Sequence, residues 1–386
     1  MPGPARIGLR YETLTIDVGV DEGATLAWLI EFLAPAFQAV PFDPSAADHL
    51  VLFETTPARH AKLRDALASA SPQTFDGFTY DGRFSQHPGW AAHDGRVWVH
   101  DERHDTFYGV GEDARSVLVV AGRRGPYPRV ALMRVVRELA TIAQHRSARL
   151  PVHGAAFVHD GTAVLLCGPK RSGKTSLLIH ALRFGGAFIS NDRLFVRTEE
   201  PVAARSMPTI VALRNDTLDM FEPLKAAYEC ARFDRGRTID ECAPGVPRPE
   251  PRAAKDSHRP GISPAQFCHL LEVPMQPAAP VGMILFPTVD ASVDGMLIES
   301  LPVALARQAL EKSLLKPSHP TRHSQVFAPG DAGEAVPAED EAERCRRLVE
   351  QLPVYACRLG PNAFQIDLGE ALDRTSRKSR RASSAR

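Results

Sequence analysis

Residues 168–175 read Gly-Pro-Lys-Arg-Ser-Gly-Lys-Thr and satisfy the G-x-x-x-x-G-K-[ST] pattern in full. No other stretch restricts the fold as strongly. Such a loop holds phosphate only where a strand ends and a helix begins, because there the backbone N–H groups converge on one point. The flanks supply both elements. Residues 162–167 (TAVLLC) form an apolar run of strand length, and residues 176–184 place Leu177, Leu178, Ala181 and Leu182 on one helical face. Gly185-Gly186 then provides a C-terminal stop. The sequence therefore predicts a strand–loop–helix unit within an α/β fold.

Within that unit each residue type has a physical task. The glycines let the backbone turn its amides inward, and the helix N-terminus adds the equivalent of about half a positive charge. Lys174 is placed to reach the β- and γ-phosphates, and Thr175 to offer its hydroxyl to Mg²⁺. The expected nucleotide-binding set is Gly168, Pro169, Lys170, Arg171, Ser172, Gly173, Lys174, Thr175 and Ser176, with ATP and Mg²⁺ as the ligands. Lys170 and Arg171 add positive charge over the phosphates or stand solvated.

After the double glycine comes Ala187-Phe188-Ile189-Ser190-Asn191-Asp192, an apolar strand closed by a carboxylate. A right-handed crossover from the loop helix lands on a strand parallel to the first. Asp192 then emerges at a carboxyl end, where ligands bind in open α/β sheets. There it can hold Mg²⁺ or accept a proton from an attacking hydroxyl. Arg193 and Arg214 are candidates for stabilising the moving phosphoryl charge. Residues 283–286 lead toward Asp290 as a possible second acidic strand, with Pro287 intervening.

Val152-His153-Gly154, the strand pair around 155–158 and 163–167, the phosphate loop and Ser190-Asn191-Asp192 together resemble HPr kinase/phosphorylase and its relatives. That group shares a nucleotide-binding core with phosphoenolpyruvate carboxykinase, and the resemblance covers roughly residues 150–200. It implies an α/β fold with a P-loop HPr-kinase/PEP-carboxykinase-like mixed-sheet core. It also implies transfer from ATP and Mg²⁺ to a serine hydroxyl of a peptide or protein. Carried over, His153 sits near the γ-phosphate or acceptor, Lys174 and Thr175 on nucleotide and metal, and Asp192 on catalysis. The family's acidic pair is Asp-Asp, whereas the first position here is Asn191. A downstream Glu-rich stretch typical of the bacterial HPr enzymes is also missing, which argues against HPr as substrate and against phosphorylase activity. Two other readings stand beside the peptide kinase: a small-molecule hydroxyl kinase on the same core, and a non-catalytic nucleotide-binding regulator, suggested by Asn191.

Around this centre the chain divides into three parts. Residues 1–149 read as an N-terminal α+β accessory or recognition module, with no reactive constellation discernible. Its expected elements are a helix at 24–33, strands at 49–54 and 116–121, a hairpin at 96–110 and an amphipathic helix at 128–144. Residues 150–370 form the P-loop kinase domain. It contains a mobile loop at 243–261 carrying five prolines, a helix opened by Ser263, a strand at 282–286, helices at 303–315 and 339–351, and a closing strand at 355–359. Residues 371–386 are expected to be a basic disordered tail. Cationic and acidic residues balance at 46 each, so charge points neither to nucleic acid nor to a membrane surface. No apolar run approaches the roughly 20 residues needed to span a bilayer. Six scattered cysteines with no Cys-x-x-Cys pair are expected to be reduced thiols of a cytoplasmic protein.

Overall fold

A computed structural model describes residues 4–80, 83–230, 261–315, 326–328 and 338–383. The stretch 243–261 lies outside the described residues apart from Gly261. The chain is mixed α/β, with its strands in two mixed sheets of nine and eight strands.

The first sheet takes strands β1 (Ala5–Tyr11), β2 (Leu14–Val20), β3 (Gln38–Val40), β4 (His49–Thr55), β5 (Gln73–Tyr80), β6 (Arg83–Ala91), β7 (Val97–Asp101), β8 (Thr106–Val110) and β9 (Ser116–Ala121). Their spatial order is β3-β1-β2-β4-β9-β8-β7-β6-β5. Only the β2–β4 and β4–β9 contacts are parallel, and the helices between those strands allow this. Helices α1 (Gly23–Leu33) and α3 (Pro126–Arg146) bury their apolar stripes on one face, around Leu29, Phe32, Val135 and Leu139. Helix α2 (Pro57–Ser69) covers a smaller cluster built on Trp98, Phe107 and Val120.

The second sheet starts with β10 (Leu150–His159), which turns through Asp160-Gly161 into β11 (Thr162–Cys167). Both turn residues have positive φ, 47° and 74°, as a two-residue type I′ hairpin requires. Helix α4 (Lys174–Arg183) and β12 (Ala187–Ser190) follow, then β13 (Arg193–Arg197) and β14 (Ala203–Ser206). Helices α5 (Asn215–Asp219), α6 (Glu222–Cys230) and α7 (Pro264–Leu271) lead to the long strand β15 (Ala278–Val289). The remaining elements are β16 (Met296–Ser300), α8 (Val303–Lys312), α9 (Ala338–Gln351), β17 (Val354–Leu359) and α10 (Leu368–Ser383). Ser263 opens α7 with a full capping box against Gln266. One sheet face packs on α4–α7 and α10, the other on α8 and α9. The two halves meet where Phe195 and Met207 enter the core of the first sheet and Tyr11 donates a hydrogen bond to the Ser206 carbonyl at 2.9 Å.

Three expectations change. First, β12 does run in the same sense as β11, but the two are not neighbours, because β10 lies between them, antiparallel to both. Second, Pro287 does not end its strand: β15 continues to Val289 beside β17. Pairing with β11 has already finished at Leu285. Since Ile284 donates toward the β17 side, position 287 faces the β11 side, where no donor is needed. Third, residues 368–383 form α10 where a disordered tail is expected from 371. Leu368 and Leu372, one helical turn apart and each 1% exposed, anchor it in the core. Among the described residues no helix is long and apolar enough to cross a membrane, and Cys167, Cys268, Cys345 and Cys357 occupy buried positions. Replacing Leu372→Ala should lower unfolding stability by about 2–5 kcal/mol, measured by urea titration; a loss below about 0.5 kcal/mol would mean that α10 is not docked.

Candidate functional site

The phosphate loop joins β11 to α4 as expected. Gly168 (φ 146°), Arg171 (φ 67°) and Gly173 (φ 97°) take backbone conformations with positive φ. At Gly173 the constraint is also steric, since a Cβ would lie 2.8 Å from Leu359 Cδ1. Ser172 and Ser176 are buried, Thr175 is half-buried, and Pro169, Lys170 and Arg171 are exposed. The Ser172 hydroxyl is buried with no hydrogen-bond partner. Lys174 folds back over the loop, where Nζ donates to the carbonyls of Gly168 (2.6 Å) and Pro169 (2.9 Å). Burial lowers the Lys174 pKa, and the carboxylate of Asp192 partly offsets this.

Asp192 reaches the loop by way of β10. The first part of that strand, Leu150 to His153, pairs with β13, and its later part pairs with β11 and β12. The Asn191-Asp192 turn between β12 and β13 is thus strapped to β10, with the Gly154 amide donating to the Asp192 carbonyl at 3.1 Å. His153 Nε2 lies 3.2 Å from Asp192 Oδ1. The histidine backbone is fixed from the other side by its N–H, which donates to the Ser313 carbonyl at 2.7 Å. The Asp192 side chain remains 51% exposed, so its carboxylate is available to a ligand.

Electrostatics keep that carboxylate charged. Partial burial pushes the Asp192 pKa up, but the hydrogen bond and charge of His153, then Arg193 and Arg137, outweigh it and leave the group below its ordinary value. Arg137 comes from α3, in the other half of the chain. Burial, with Arg193 and Arg134 beside it, lowers its pKa to about 9, still high enough to be cationic at neutral pH. A carboxylate with a depressed pKa accepts a proton poorly at pH 7. Its chemistry is that of a fixed negative charge that can coordinate a cation or orient a hydroxyl.

Asn191 uses both ends of its amide. Nδ2 donates to the Ile210 carbonyl at 3.4 Å, and Oδ1 accepts from Thr209 Oγ1 at 3.1 Å. An Asp at this position could accept but not donate. Arg193 is buried beside Asp192, whereas Arg214 is taken up locally by Asp216 at 3.1 Å. Cys167, just before the loop, is buried and its thiol pKa is pushed up to about 12, so it is an inert packing residue. The structure therefore brings together Lys174, Asp192, His153 and Arg193, and adds Arg137. That residue escapes sequence reading because it lies on an amphipathic packing helix. Residues 130–140 hold Arg134, Arg137 and Glu138 among apolar residues, and nothing in the sequence singles out Arg137.

No protein-family model matches this chain, and no curated protein matches it. Asn191→Asp should lower stability by about 1 kcal/mol in urea unfolding, since the Ile210 carbonyl loses its donor and a second negative charge adjoins Asp192; an unchanged midpoint would show that neither effect operates.

Proposed function

We propose that the chain is an ATP-dependent kinase of the HPr-kinase-like type, transferring the γ-phosphoryl group to a hydroxyl, in first place a serine of a peptide or protein. The observation that carries this reading is the junction of a phosphate loop opening a helix with a charged carboxylate, Asp192, within electrostatic reach of the loop lysine. Phosphoryl transfer needs little covalent work from the protein; it needs positioning and charge.

Each residue has a place in that account. On nucleotide binding, Lys174 exchanges its two carbonyl contacts for β- and γ-phosphate oxygens. Ser172, whose hydroxyl is buried without a partner, can donate into the same cradle. Thr175 and Asp192 would hold Mg²⁺, which neutralises charge as the phosphoryl group moves. Asp192 also aligns the acceptor hydroxyl, and His153, 3.2 Å away, fixes that carboxylate. Arg137 and Arg193 keep it ionised. The exposure of Asp192 supports an acceptor that approaches from outside. That favours a peptide over a small molecule, which would need an enclosed pocket. The non-catalytic alternative rests on Asn191 replacing an acidic residue. Its weight falls because the amide of Asn191 has local bonding partners, which leaves the single carboxylate free for ligand.

Transfer from γ-labelled ATP with Mg²⁺ into a size-fractionated extract of source cells should label a peptide or protein. Lys174→Ala and Asp192→Asn should each reduce that labelling by about 100-fold or more. Label confined to low-mass material would favour the small-molecule kinase. ATP binding without transfer in any fraction would favour the regulator.

A further inference from the structure

Helix α2 is docked in an unusual way. Of its thirteen residues (Pro57–Ser69), the only fully buried one is His60, 3% exposed. A surface helix ordinarily seats itself through a buried apolar stripe. Here an imidazole occupies that position, and Leu63 and Leu67 are only partly buried beside it.

His60 is directed at the β7–β8 turn. Its Nε2 lies 3.2 Å from Asp105 Oδ1, and 3.1 Å from the Asp105 carbonyl. His100, on β7, points its own Nε2 at the same carboxylate oxygen from 3.7 Å, too far for a hydrogen bond. That nitrogen is buried and has no hydrogen-bond partner. His60 Nε2 has two acceptors on Asp105 within reach, whereas His100 Nε2 has none at hydrogen-bonding distance. The three donor atoms all fall within 4.8 Å of one another. Metal–ligand bonds of about 2.1 Å at tetrahedral angles place neighbouring donors about 3.4 Å apart. The two separations from Asp105 Oδ1, 3.2 and 3.7 Å, bracket that value, and the third is under 4.8 Å.

The surroundings fix the ligands rather than only tolerating them. Phe107, fully buried, stacks on the His100 ring at 4.4 Å and meets the His60 ring edge-on at 5.2 Å. Gly122 leaves room for the other side of His60: a Cβ there would lie 2.9 Å from Nδ1. Asp105 adopts φ 48°, a left-handed conformation that Asp and Asn tolerate better than other non-glycine residues.

The geometry points to a binding site for a divalent transition metal, Zn²⁺ in the first place, formed by His60 Nε2, His100 Nε2 and Asp105 Oδ1. Two imidazoles and one carboxylate suit a borderline cation and leave a fourth position, on the exposed side of Asp105, for water. His60 enters as its Nδ1–H tautomer, the Nε2 proton giving way to the metal. The bound ion fastens α2 to the β7–β8 turn, adding to the contacts that Leu63 and Leu67 make there. This inference is independent of the kinase reading.

The test uses the full chain stripped with a chelator and titrated with Zn²⁺ against a chromophoric competitor. One ion per chain should bind, the melting temperature should rise, and Co²⁺ in its place should give the visible bands of a tetrahedral site. His100→Gln and Asp105→Asn should each weaken binding by more than about 100-fold, beyond the cost of losing an outer-shell partner. His159→Gln, in the more exposed His159/Asp160/Asp373 group, should leave uptake unchanged. Asp105 is 43% exposed, and Asn keeps its backbone conformation, so that variant separates ligation from folding. Wild-type uptake by a folded Asp105→Asn chain overturns the inference, as does the absence of saturable binding by the wild type.

Discussion

Strand β10 is the element on which the site depends. Its first four residues pair with β13 and its later residues with β11 and β12, so one ten-residue strand binds together three segments that carry chemistry. The phosphate loop leaves the end of β11, Asp192 occupies the turn between β12 and β13, and His153 lies on β10 itself. A register slip of one residue on β10 would move His153 to the opposite face and remove the carboxylate's closest hydrogen-bonding neighbour. The same strand shares its neighbour β11 with β15, whose start pairs with β14 and whose middle pairs with β11. The path β10-β13-β14-β15-β11 thus closes on itself, and this closure holds the Asn191-Asp192 turn in place.

The second constraint is charge. Asp192 is surrounded by His153, Arg193 and Arg137, and the last comes from α3, a helix that otherwise belongs to the core of the first sheet. The N-terminal half therefore contributes directly to the electrostatics of the candidate site as well as packing against it. In the proposed kinase, charges so arranged before a ligand arrives need no reorganisation when phosphate charge develops. They also depress the carboxylate's proton affinity, which favours a metal-holding and orienting role for Asp192 over that of a strong base.

Local signals in the sequence carry far; relations between distant segments do not. The phosphate loop, its flanking strand and helix, the Ser263 cap and the amphipathic α3 follow from patterns within a few residues, where spacing and turn chemistry decide the outcome. The insertion of β10 between β11 and β12 leaves no such mark, because antiparallel and parallel partners of β10 share the same apolar composition. Pro287 reads as a strand breaker until its missing N–H is seen to face the end of β11. The expected tail becomes helix because Leu368 and Leu372 find a core, a tertiary effect that overrides its polar composition. Asn191 reads as the loss of a carboxylate, yet its amide bonds to Thr209 and Ile210 across a connection the sequence does not reveal. The convergence of His60, His100 and Asp105 spans 45 residues with no spacing motif to announce it.

In the proposed kinase the phosphate loop and the Asn191-Asp192 turn form one nucleotide–metal site. Calorimetric titration of the purified chain with ATP, with and without Mg²⁺, tests it most directly when wild type and Asp192→Asn are compared. The wild type should bind ATP more tightly when Mg²⁺ is present, and the variant should lose that Mg²⁺ dependence while ATP alone still binds through the loop. Equal Mg²⁺ dependence in the two proteins would separate Asp192 from the metal and contradict the account.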